Sequence, residues 1–66
     1  AYRVAVARDP RNAVAWNNLG WTLGKLGFYS LAVNPLEQAV AIDPAYRLAR
    51  NNLAWVRGEV ARSRGS

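Results

Sequence analysis

The chain has 66 residues, enough for one small domain, and it contains neither cysteine nor histidine. Disulfides, thiolate metal sites and catalysis by cysteine or histidine are therefore excluded, and we expect no cofactor and no enzyme activity. The net charge of +5 comes mainly from arginines that lie towards the two ends of the chain, and this spread argues against nucleic acid as the partner.

No apolar run approaches the roughly 18 residues that are needed to cross a bilayer, so we expect a soluble protein without a membrane span, most simply in the cytoplasm. The sequence starts at Ala1 without a methionine, which favours a piece of a longer protein.

The sequence repeats itself at one fixed offset. Asp9-Pro10 returns as Asp43-Pro44, and at the same offset Asn17-Asn18-Leu19 followed by Trp21 returns as Asn51-Asn52-Leu53 followed by Trp55. We call this offset, from position 9 to position 43, the repeat period. A period of this size is typical of stacked helical repeats, in which each period is one supersecondary unit.

Apolar residues recur at helical spacing within one period. Trp16, Leu19, Gly20, Leu23 and Leu26 predict a first helix over about 13–26, which ends at Gly27. A second set, Ala32, Leu36, Ala39 and Val40, predicts a second helix over about 29–42, and a third follows Asp43-Pro44 over about 45–61. No window alternates with period two, so no sheet is expected.

Residue size along the first two helices predicts how they pack. Gly20 and Ala32 are small, which indicates that the helices cross closely there, with Trp16 and Leu36 filling the space on either side. Pro35 removes an amide donor from the second helix, so we expect a kink or a late helix start there. Because Pro35 is adjacent to the core residue Leu36, its side chain is expected to face outward.

These residues resemble the tetratricopeptide repeat family. Trp16, Leu19, Gly20, Ala32, Ala39 and Pro44 stand at the family spacings, with Leu23 and Leu36 in place of a Tyr and a Phe. The resemblance implies an all-α fold of antiparallel helical hairpins, a fragment of a right-handed superhelix. It divides the chain into a second-helix remnant of a preceding repeat with its turn (1–12), one complete repeat (13–46), a C-terminal capping helix (47–62) and a flexible tail (63–66).

The capping role of 47–62 is predicted from its polar outer face. Arg50 and Arg57 stand where the complete repeat has Trp16 and Leu23, and terminal repeats need such a face to meet water.

On the first helix of each repeat, a second row of residues, which includes asparagine and tryptophan, lies beside the face that packs in the core. The resemblance implies that these rows line a concave groove that binds a peptide through asparagine side chains and aromatic surfaces. The predicted partner-binding residues are Asn17, Trp21, Lys25, Asn51, Trp55, Asn18 and Asn52. The alternatives for Trp21 and Trp55 are packing between neighbouring repeats and a self-association surface.

The predicted function is a protein-interaction module, either a scaffold or a groove for a peptide of another protein. The apolar residues Tyr2, Ala5 and Val6 leave an open N-terminal edge, so self-assembly into a homo-oligomer is the alternative function. An RNA-binding helical repeat is less well supported, because neither the length of the repeat period nor the sparse central charge favours it.

Overall fold

The computed structural model describes residues 12–65, which form three α-helices: α1 Ala13–Lys25, α2 Tyr29–Ile42 and α3 Arg47–Gly65. There is no strand in this range, and the predicted all-α fold is confirmed. The bounds of α1 and α2 agree with the sequence prediction to within one residue. In contrast, α3 begins two residues later than expected and continues past 61 to Gly65. The predicted second-helix remnant at the N-terminus lies almost wholly outside the described residues.

Local hydrogen bonds set both ends of α1. At its start, Oδ1 of Asn12 accepts a bond from the backbone N–H of Ala15 at 3.2 Å. At its end, Gly27 adopts φ +90°, and its N–H donates to the carbonyl of Gly24 at 3.0 Å. The N–H of Phe28 donates to the carbonyl of Leu23 at 2.9 Å. These two bonds form a Schellman motif, which turns the chain from α1 into α2.

Gly27→Ala is expected to lower the free energy of unfolding by about 1 kcal/mol, because a side chain disfavours the left-handed backbone that the turn needs. Urea unfolding followed by circular dichroism measures the change. Gly58→Ala is the matched control, since Gly58 lies inside α3 and, apart from the backbone of its own helix, no atom of residues 12–65 is within 4 Å of its Cβ position. This variant should be as stable as the wild type or more so. Equal stability of Gly27→Ala and the control would contradict the role of this turn.

The core forms where α2 packs against both α1 and α3. Its centre consists of Leu36 of α2 with Leu53 and Val56 of α3, all buried. A Cβ on Gly20 of α1 would lie 2.9 Å from Cδ2 of Leu36 and 3.1 Å from the carbonyl oxygen of Ala32. The helices therefore cross closely at Gly20 and Ala32, as the sequence predicted, and only glycine fits on the α1 side.

Pro35 corrects the sequence prediction at one point. Its side chain is buried, and α2 begins at Tyr29 and continues through Pro35 to Ile42, so an outward side chain and a late helix start are both wrong. The reason is its position, three residues after Ala32 and four before Ala39, which places it on the buried face of the helix.

The outer side of α3 is polar. Arg57 donates to a carboxylate oxygen of Glu37 on α2 at 2.7 Å, and about half of each side chain is exposed, so this ion pair adds little stability. Arg50 is exposed. The division into one repeat, a capping helix and a tail stays a prediction. No helix within residues 12–65 is long and apolar enough to cross a membrane.

Candidate functional site

A cavity of about 330 Å³ opens between α1 and α3. Four of the seven predicted site residues line it, together with one residue that was not predicted: Asn17, Asn18, Trp21 and Asn52, with Leu48. We call this space the groove cavity. Trp21 of α1 and Leu48 of α3 form its apolar walls and are 43% and 54% exposed, so both remain open to a ligand.

Asn17 lies beneath the groove cavity and is only 1% exposed. Its Oδ1 accepts a bond from Nδ2 of Asn52 at 2.9 Å, and its Nδ2 donates to the hydroxyl of Tyr46 at 3.4 Å. These bonds connect α1 both to α3 and to the turn that precedes α3. No buried polar side-chain atom in the described part of the chain lacks a hydrogen bond. The Asn17 side chain therefore holds Asn52 in place and is not itself at the surface.

The position of Asn52 decides which of its atoms can serve a ligand. Because Nδ2 donates to Asn17, Oδ1 is the atom that can accept a bond from the N–H of a peptide. Asn18, half-buried on α1, stands on the other side of the groove cavity. Two carboxamides on different helices thus border one apolar space, which is the usual composition of a specific ligand site.

Lys25 extends the site along α1. Its Nζ lies 4.6 Å from the centroid of the Trp21 ring, and the side chain is exposed. A cation at this distance interacts with the face of the indole, which favours one orientation of Trp21 at the edge of the groove cavity. The same ammonium group gives this edge a positive charge.

Three predicted residues do not line the groove cavity: Lys25 at its edge, and Asn51 and Trp55 on α3. Trp55 of α3 packs against α2, with its ring 5.9 Å from that of Tyr29 in an edge-to-face arrangement at 84°. A Cβ on Gly24 would come within 2.7 Å of the Trp55 indole, so this side chain fills the space that the glycine leaves open. Trp55 remains 38% exposed. Asn51 is exposed on α3.

Two residues of this site, Leu48 and Tyr46, are not among the predicted partner-binding residues. Leu48 could have been found, because it stands one repeat period after Val14. Both residues are apolar, and each precedes an asparagine of the predicted site by three positions, Asn51 and Asn17 respectively. Tyr46 gave no local signal, since its bond to Asn17 spans 29 residues of sequence.

A larger hollow of about 500 Å³ lies between the α1–α2 turn and the end of α3, with Phe28, Leu31 and Arg64 among its lining residues. It contains none of the predicted site residues. The groove cavity is smaller but has a side-chain hydrogen bond that fixes one of its polar groups, and we therefore take it as the candidate site.

The comparisons with known proteins agree with this architecture. The family model for the tetratricopeptide repeat matches residues 1–33, which is half of the chain and includes all of α1 and the start of α2. No curated protein and no solved structure matches the chain. On the strength of the family match and of its stacked helices, the chain belongs to the tetratricopeptide repeat family.

Proposed function

We propose that this chain is a protein-interaction module that binds an extended peptide segment of a partner protein in the groove cavity. Tetratricopeptide repeats mediate protein–protein interaction as a family. The observation that carries the proposal is the composition of the cavity: exposed apolar walls from Trp21 and Leu48, with the carboxamides of Asn18 and Asn52 on opposite helices.

Each part of the groove cavity has a separate role in this proposal. An apolar side chain of the peptide enters between Trp21 and Leu48 and removes their exposed surface from water. The two asparagines bond the peptide backbone, which an extended segment leaves unpaired. Asn17 is a positioning residue, because it is buried and acts through Asn52.

The charge of the chain favours an acidic partner. Among residues 12–65 no acidic side chain lines the groove cavity, and Lys25 lies at its edge over Trp21. The whole chain carries a net charge of +5. Such a field speeds the approach of a negatively charged segment and weakens as salt is added. Asn51 and Trp55 remain predicted contacts of the same partner, on the neighbouring part of α3.

We infer that the module has no catalytic role. A catalytic carboxylate needs a reaction partner and a perturbed environment. The acids among residues 12–65 are each engaged in structural contacts: Glu37 with Arg57, Glu59 with Arg62, and Asp43 with the N–H of Ala45 in the turn before α3.

A random peptide library displayed on phage and selected on the immobilised chain tests the proposal. A selected peptide, labelled with fluorescein, is then titrated with each variant. Trp21→Ala and Leu48→Ala should each weaken binding at least about tenfold, the effect of losing one apolar anchor worth ~1.4 kcal/mol.

Leu26→Ala is the matched control for Leu48→Ala. Leu26 is 66% exposed, lies in the α1–α2 turn and does not line the groove cavity. Its variant should bind the peptide with an unchanged dissociation constant. Peptides whose binding is the same in all three variants would show that the groove cavity is not the site, and failure to select any peptide would count against the proposed function.

A further inference from the structure

Two pairs of residues are prominent in the contact between α1 and α3. Asn52 of α3 donates from Nδ2 to Oδ1 of Asn17 at 2.9 Å. Trp55 of α3 lies over Gly24 of α1, in the place that a Cβ would take. In each pair α1 supplies a receiving residue, Asn17 or Gly24, and α3 supplies a docking residue, Asn52 or Trp55.

Because the sequence repeats, each helix also carries the residue types that the other helix uses in this contact. We call each such set of residues a docking half or a receiving half. Asn18 and Trp21 of α1 correspond in sequence to the docking residues, and Asn51 and Gly58 of α3 correspond to the receiving residues. Trp21 is 43% exposed and Asn51 is at the surface. A single chain therefore carries a second docking half on α1 and a second receiving half on α3.

Gly58 is unexplained by the packing of residues 12–65. Glycine inside a helix is less stable than alanine, so a helical glycine needs a reason. Gly20 and Gly24 have one, since Leu36 and Trp55 occupy the space over them. Over Gly58, apart from the backbone of its own helix, no atom of residues 12–65 comes within 4 Å. By the same reasoning, Gly58 leaves room for a large side chain that comes from outside α1, α2 and α3.

We propose that copies of this chain stack head to tail, with Trp21 of one copy over Gly58 of the next and Asn18 of the first bonded to Asn51 of the second. In this contact α1 of one copy packs on α3 of the other copy, in the same way that α3 packs on α1 within a single chain. A second copy can make the contact because every chain carries both a docking half and a receiving half. Since the two halves differ, the contact is heterologous and copies add in one direction.

Stacking also builds a second groove cavity, and this part rests on the proposed function. One repeat period further along the stack, the positions that line the first cavity are taken by residues of two copies. The copy that supplies Gly58 contributes Asn51, Asn52 and Trp55, and the copy that supplies Trp21 contributes Val14 and Asn18. The partner copy thus supplies one wall. In a single chain Asn51 and Trp55 lie outside the cavity because that wall is missing.

Static light scattering of the whole chain, from about 10 µM to about 1 mM, tests the stacking. The average mass should rise with concentration. Trp21→Ala removes the docking half and keeps Gly58, whereas Gly58→Leu fills the receiving half and keeps Trp21, so each variant alone should stay monomeric. Their equimolar mixture should form a dimer with one copy of each, since one intact half remains on either variant.

A wild-type chain that stays monomeric at the highest concentration overturns the proposal. That result is expected if Gly58 instead receives a side chain from a following repeat of one longer polypeptide. A mixture that stays monomeric also overturns it, because a symmetric contact through Trp21 predicts that result. Asn18→Ala with Asn51→Ala is a second complementary pair, used if circular dichroism shows that a first variant is unfolded. The light-scattering experiment contains no peptide, so it tests the stacking separately from peptide binding. A chain that associates but selects no peptide from the library would contradict the proposed function and not the stacking.

Discussion

Replacement of Leu36 by alanine is expected to lower the free energy of unfolding by about 2–5 kcal/mol. Leu36 is fully buried on α2, next to Ala32, and packs with Leu53 and Val56 of α3. On its other side it fills the space over Gly20 of α1. One side chain therefore connects all three helices, and its truncation leaves a cavity that no neighbour can fill without moving.

The effect is large for a chain of this size, because a single core of fewer than about 70 residues rarely supplies more than about 3–5 kcal/mol. Circular dichroism should show that Leu36→Ala is mostly unfolded at room temperature. Leu36→Met, which conserves volume, should cost less than about 1.5 kcal/mol and give a measurable urea transition. Leu31→Ala is the matched control, since Leu31 is on the same helix and 60% exposed. A Leu36→Ala variant that melts like this control would disprove the described core.

The second large effect is expected for Asn17→Leu, which should cost about 1–3 kcal/mol. Leucine has a similar volume, so the loss arises from hydrogen bonding. Nδ2 of Asn52 and the hydroxyl of Tyr46, both on half-buried residues, each lose their bond to Asn17, whose own side chain is shielded from water. The variant should also bind the selected peptide more weakly, because Asn52 is no longer held in position.

Asn51→Leu provides the comparison, because Asn51 occupies the same position of the repeat one period later and is exposed. Its thermal unfolding, measured at low micromolar concentration to avoid association, should differ from the wild type by less than about 0.5 kcal/mol. If the two variants lose equal stability, the burial of Asn17 is not what distinguishes them, and the hydrogen bonds described here do not stabilise the fold.

The helix bounds could be predicted because the residues that set them are close in sequence. Asn12 caps the start of α1, Gly27 ends it, and Asp43 with Pro44 separates α2 from α3. Each of these signals acts over a few residues, so one sequence is enough to find it. The repeat period and its characteristic residues then indicated the tetratricopeptide repeat family, and the family match over residues 1–33 confirms this prediction.

Contacts between distant residues could not be predicted in the same way. Asn17 is polar and stands at the edge of the core face, so its sequence context suggested the surface, yet it is buried by a residue 35 positions away. Trp21 and Trp55 occupy equivalent positions but have different surroundings, because the Trp55 ring lies over Gly24 and against Tyr29, whereas Lys25 lies over the Trp21 ring. Pro35 differs from these cases. Its burial follows from the spacing of Ala32 and Ala39. The prediction was wrong because burial on a helix depends on the residues three and four positions away, and not on the adjacent residue Leu36.

The position of α2 also has a consequence for how the chain folds. It packs against the helix before it and the helix after it, whereas α1 and α3 touch each other over a smaller area. Nearly all contacts thus join elements that are adjacent in sequence, which keeps the loops that must close short and favours rapid folding. The central helix cannot leave without releasing both neighbours, while α3 can detach and leave the α1–α2 hairpin behind. Transient opening should therefore begin at α3, which is also the helix that carries one wall of the groove cavity.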